Sequence, residues 1–255
     1  IQGDKYAALV TAHDLALNRG QPAAAVRANT RGREVAAANT RVYLRERVRD
    51  ALYWDGDSAV AAAAVRELER TAFGPTPEKP SDRFGQIVDL CNVELWRVGH
   101  DDLRTLTTSI VRLRHAVTAS PEMPTTSFPN ACATLLDAIA SARTGRPDAP
   151  VALARLDSLL KTGPGGFVQD AGNLILARLK EKHGDVRGAL AAVRRRETFL
   201  TRPLYLSTFL REEGRLAALA GENDAAIEAY RHYVTLRAAP LSRSRARRPL
   251  SRPEP

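Results

Sequence analysis

Residues 207–240 read STFLREEGRLAALAGENDAAIEAYRHYVTLRAAP, and this stretch decides the fold. Two segments with apolar residues at helical spacing flank a turn at Gly221-Glu222-Asn223. Leu210, Gly214 and Ala217 fall on one face of the first segment, and Ala226, Tyr230 and Tyr233 on one face of the second. Gly214 has no Cβ, so another helix can approach closely there, and Ala226 serves the same end on the second helix. The expected unit is a helical hairpin with small residues on its facing sides.

Working outward, the preceding unit, Asp170 to Pro203, repeats the layout, with Ala177 in the small-residue place and a Gly184-Asp185 turn followed by Ala189 and Val193. Farther back the turn recurs at Gly145, Gly99, Gly56-Asp57 and Gly20-Gln21. The spacings from Gly20 to Gly221 are 36, 43, 46, 39 and 37 residues. The two long ones coincide with Pro-rich connections, Phe73–Asp82 and Thr118–Asn130. Insertions between hairpins are what a stacked array tolerates, because they fall on one edge. Asp57-Ser58, Asp101-Asp102, Asp170 and Asp185 place short oxygen acceptors before apolar-periodic runs and are expected helix caps.

With its glycine in the first helix and an Ala226-x3-Tyr230 pattern in the second, the Ser207–Pro240 stretch resembles a tetratricopeptide repeat. Glu213 and Ala217 stand where the family usually has Leu and Tyr, and Pro240 falls slightly late. The resemblance is firmest over residues 170–240, fair around Gly56 with Ala61 and Val65, and weakest around Gly99 and Gly145, where Arg104 and Pro150 replace the small residue. It implies an all-α, right-handed solenoid of about six hairpins and about twelve antiparallel helices over residues 1–240. The C-terminal stretch also resembles the tetratricopeptide tails of bacterial signalling proteins, including Ser/Thr kinases. That implies a scaffold or sensor module attached to a separate output domain.

Composition agrees with helix: alanine and leucine dominate a 44% hydrophobic fraction and aromatics supply 5%. No run approaches the roughly 20 apolar residues needed to span a bilayer, so no membrane insertion by these residues is expected. No signal peptide is evident, and residue 1 is Ile rather than Met. The expectation is a processed or excised piece of a longer protein, cytoplasmic by default and extracytoplasmic if an anchor or signal precedes Ile1. Cys91 and Cys132 lie in apolar helical patterns and read as two buried thiols, leaving the redox compartment open.

The net charge of +9 is uneven, +1 over residues 1–128 and +8 over residues 129–255. Half of the latter excess lies in the tail 241–255, where Arg243, Arg245, Arg247, Arg248 and Arg252 alternate with Ser and Pro. That composition suits a disordered basic extension. It keeps nucleic acid as a less favoured partner, alongside self-association through the ends of the array.

Chemistry finds no foothold. The five histidines (His13, His100, His115, His183, His232) form no metal-ligand spacing, and Gly163-Pro164-Gly165-Gly166 lacks the G-K-[ST] ending of a phosphate loop and reads as a linker. No catalytic motif, metal or cofactor is expected. Trp54 and Trp96, near the ends of first helices, read as core fillers rather than ligand-stacking aromatics. Arg194-Arg195-Arg196 reads as a solvated helix end.

In tetratricopeptide arrays the first helix of each hairpin lines the concave face. Carried over, this implies a basic stripe of Arg143, Arg178, Lys182, Arg211 and Arg215, facing an acidic end at Asp14, Glu46, Asp50 and Asp89. Guanidinium groups bind carboxylates in two-pronged fashion. The expected protein partner therefore presents an extended acidic peptide or its own C-terminal carboxylate near Arg211 and Arg215. The alternative is that these arginines pair with Glu181, Glu212 and Glu213.

Overall fold

Three of the hairpins are turned by one local device. In the computed structural model Gly20, Gly184 and Gly221 take positive φ (70°, 83° and 80°). Two backbone bonds close each helix end: at the last turn Gly221 N–H donates to Ala218 C=O (3.1 Å) and Glu222 N–H to Ala217 C=O (2.9 Å). Matching pairs occur at Gly20 and Gly184. They satisfy carbonyls that a helix end leaves open, and a residue without Cβ is the least strained in that conformation.

The structure describes residues 2–35, 40–54, 58–100, 102–119, 127–163, 166–196 and 204–238. Among them are twelve helices and no strand: α1 (Gln2–Asn18), α2 (Pro22–Val35), α3 (Thr40–Tyr53), α4 (Ser58–Ala72), α5 (Pro80–Gly99), α6 (Leu106–Ala119), α7 (Ser127–Arg143), α8 (Ala149–Lys161), α9 (Gly166–Lys182), α10 (Val186–Val193), α11 (Leu206–Leu219) and α12 (Asn223–Arg237). No helix of the described residues is long and apolar enough to cross a membrane. The fold is all-α. The tail from residue 241, with its five arginines, lies outside the described residues, as do Gly56, Asp57 and Asp101.

Antiparallel neighbours pack as α1 with α2, α3 with α4, α7 with α8, α9 with α10 and α11 with α12. The middle departs from this scheme. Helix α5 continues through Gly99 and is capped at His100, so Gly99 makes no left-handed turn, and α6 lies chiefly against α7 instead of α5. The caps are also fewer than expected. Asp185 accepts from Gly188 N–H at 2.8 Å and starts α10. Asp102 stands four residues before α6 and holds Arg104 instead, at 2.9 Å, while Asp170 falls inside α9.

The core is mostly Leu and Ala and runs continuously from α1 to α12. Helices α3, α5, α7 and α9 touch in succession and form its inner layer. Gly214 carries out its expected role: the Tyr230 ring of α12 lies 3.0 Å from where a Cβ would stand. Trp54 and Trp96 are buried, as the core-filling reading requires. Trp54 stacks edge-on to Tyr205, with ring centres 4.6 Å apart, and Trp96 lies against His100 at 4.0 Å.

Two features overturn expectations. Cys91 of α5 and Cys132 of α7 are not free thiols; they form a disulfide with Cα atoms 6.2 Å apart, fully buried. Their 41-residue separation falls within the range of the turn spacings. They lie on α5 and α7, two helices that the fold sets side by side although they are not consecutive in the chain.

Second, contacts are not confined to neighbouring hairpins, as they would be in an open solenoid. The start of α11 returns to α1 and α3: Ser207 N–H donates to Asn18 Oδ1 at 3.0 Å, and the Thr208 hydroxyl donates to the Tyr53 carbonyl. Tyr205, the one described non-glycine residue at positive φ (56°), is held between Tyr53 and Trp54. At the far end of α12 the Arg237 side chain lies over Gly20, in the space a Cβ would take. The last hairpin thus rests on the first.

Candidate ligand cleft

The inner helices converge at their C-terminal turns around a cleft of about 120 Å³. Leu52 and Tyr53 of α3, Leu95 and Val98 of α5, Ile139 of α7 and Ile175 and Leu179 of α9 line it. Gly99 of α5, Arg143 of α7 and Arg178 of α9 complete the lining. The walls are apolar because these positions repeat on the face where inner helices meet. The arginines stand in or beside the last turn of their helices, where unpaired carbonyls favour a cation. Arg143 is half-buried, whereas Arg178 is exposed and has no ion pair among the described residues. Burial pushes the Tyr53 phenol well above its ordinary pKa, and the nearby Arg178 and Arg49 charges only partly oppose this. Tyr53 is thus a neutral wall of the cleft.

Two of the five predicted cations are brought together here, and the stripe divides. Arg215 is taken up by the protein: its two terminal nitrogens reach Glu181 at 2.5 and 2.6 Å, and it also donates to Glu212 at 2.9 and 3.0 Å. Arg215 in turn holds the Glu181 carboxyl below the usual carboxylate range. Arg211 lies 3.8 Å from Glu212. Lys182, exposed at the end of α9, does not reach the cleft. The expected docking point at Arg211 and Arg215 is therefore largely occupied by intramolecular carboxylates.

The acidic end of the groove is not a surface either. Asp89 is fully buried and accepts from Arg41, from Arg45 at 2.5 Å and from Thr71 at 2.7 Å. Buried Asp50 and half-buried Asp14 and Glu46 surround the buried His13, with His13 Nε2 2.9 Å from Asp50 and Nδ1 3.2 Å from Asp14. A charged residue at a helical position that looks concave in the sequence is here tied across to the next helix.

The same correction applies to Arg194-Arg195-Arg196, which follows α10. Arg194 pairs with Glu213 and Glu222, Arg195 with Asp157, and Arg196 with Glu213. The three arginines fasten α10 to α8, α11 and α12 rather than lying free in solvent. Among the described residues no cluster of His, Cys, Asp or Glu could hold a metal ion. His100 bonds the Trp96 carbonyl at 2.9 Å through Nδ1, a helix-end role.

Sequence reasoning passed over Tyr53 and the apolar walls, whose signal is the recurrence of Leu, Ile or Val at the last turns of alternate helices. No family model, no curated protein and no solved structure matches this sequence.

Proposed function

We propose that this protein is a non-catalytic, peptide-binding scaffold, a tetratricopeptide-like helical array that serves as a module of a larger regulatory protein. What carries the reading is the pairing of Arg143 and Arg178 over an apolar cleft built from the last turns of four inner helices. Apolar walls with a few convergent polar groups are the usual make-up of a recognition site. The ligand is a peptide end or segment that offers an apolar side group to the walls and a carboxylate to the exposed Arg178 guanidinium, with Arg143 adding positive charge beside it. Arg211 and Arg215 contribute less, because Glu181 and Glu212 already engage them. The resemblance of residues 207–240 to tetratricopeptide repeats supports the scaffold role.

A library of ten-residue peptides ending in an apolar residue with a free or an amidated terminus, read by fluorescence anisotropy, tests the reading. The free-carboxylate set should contain binders, and the Arg143→Glu/Arg178→Glu variant should weaken them at least about tenfold, the scale of a lost charge pair. Binding that survives both changes, or a library without binders, defeats it.

A further inference from the structure

The disulfide lies close beneath the cleft and carries a conclusion independent of any ligand. Cys91 precedes the cleft residue Leu95 by one turn of α5, and Cys132 precedes Ile139 by two turns of α7. We infer that this protein is matured by a disulfide donor in an oxidising compartment, and that the Cys91–Cys132 bond is the pin that holds the α5 and α7 walls of the cleft together.

These are the only two cysteines in the sequence, so pairing within one molecule has a single outcome. Both are fully buried, and the segment between them includes the whole of α6. A buried thiol in apolar surroundings is poorly ionised and out of reach of an exchange partner. The bond therefore forms before α7 closes over α5. The Cys91 or Cys132 thiolate attacks one sulfur of the donor's disulfide and releases one donor thiolate. The second cysteine then attacks the mixed disulfide and releases the other. The protein loses two electrons and two protons, and the donor leaves as a dithiol. Such bonds persist where glutathione and thioredoxin do not keep thiols reduced. Across a 41-residue separation the cross-link removes much of the freedom that would let the two walls part.

The test expresses the full 255 residues with and without an export leader and denatures the product unreduced in excess mass-tagging maleimide. Exported protein should take up no tag and cytosolic protein two. Two tags on exported protein overturn the inference. Native exported protein should resist dithiothreitol until urea is added, and ready reduction without urea would contradict the buried pin. The Cys91→Ala/Cys132→Ala variant should melt about 10 °C lower, with hydrogen exchange rising first in α5 and α7. An unchanged melting point removes the pin, and if that variant does not fold the tag count on the unaltered protein still decides.

Discussion

His13 sits between two carboxylates almost out of reach of water, with Glu46 close by. Burial is the largest single influence on it and disfavours its charge. The hydrogen bonds to Asp14 and Asp50, with the charges of Asp50 and Glu46, together outweigh that and raise its pKa to about 10. Burial raises Glu46 to about 7, partly offset by His13. Both folded-state values lie above their ordinary ones, so the folded form holds protons that the unfolded form releases, and stability falls as pH rises. The Glu46 contribution is lost between about 4.5 and 7, and the His13 contribution, full below 6.5, disappears as pH passes 10. Urea midpoints should therefore decline from pH 5 to pH 9, and Glu46→Gln should flatten the acidic part of that decline. A midpoint that climbs across this range contradicts the assignment.

Between helices, burial decides which ion pairs matter. Asp89 has no exposed surface and compensates Arg41 and Arg45 at once. Asp89→Ala leaves two guanidinium groups without their carboxylate and should cost about 3–5 kcal/mol. Arg215 holds Glu181 with better geometry, but its side chain is 40% exposed, so Arg215→Ala should cost about 0–1 kcal/mol. Equal losses in urea titration would refute this ordering. The same contrast explains how much of the molecule its sequence discloses. Helical periodicity and turn glycines are local, so the helices and the turns at Gly20, Gly145, Gly184 and Gly221 are legible in it. Gly99 misleads because a glycine also fits inside a helix, and nothing local marks α6 as the partner of α7. Side-chain partners are harder, because a charge can pair one turn away or one repeat away. Arg215 takes Glu212 at the first distance and Glu181 at the second. Cys91 with Cys132, Glu181 with Arg215 and Arg45 with Asp89 all join residues about one repeat apart. That shared interval is the signal from which the disulfide and the paired, unavailable part of the basic stripe could have been read.

For the whole molecule, the decisive contacts are those between its ends. Asn18 accepts from the buried Ser207 N–H, while Trp54 and Tyr53 enclose Tyr205, a residue whose left-handed backbone is costly unless its surroundings impose it. Asn18→Ala orphans that N–H and should weaken the junction by about 1–3 kcal/mol. Hydrogen exchange should then accelerate around residues 205–210 and the radius of gyration should grow, with α5 and α7 still protected. A uniform rise in exchange would mean that the ends do not open separately.

An open row of hairpins can gain or lose a member by duplication or deletion, since each new member meets only its neighbours. A closed row has a fixed circumference. Adding a hairpin of about 40 residues between α3 and α11 would carry Tyr205 away from Trp54 and Arg237 away from Gly20. A longer loop would leave the seam intact, whereas an added hairpin would open it.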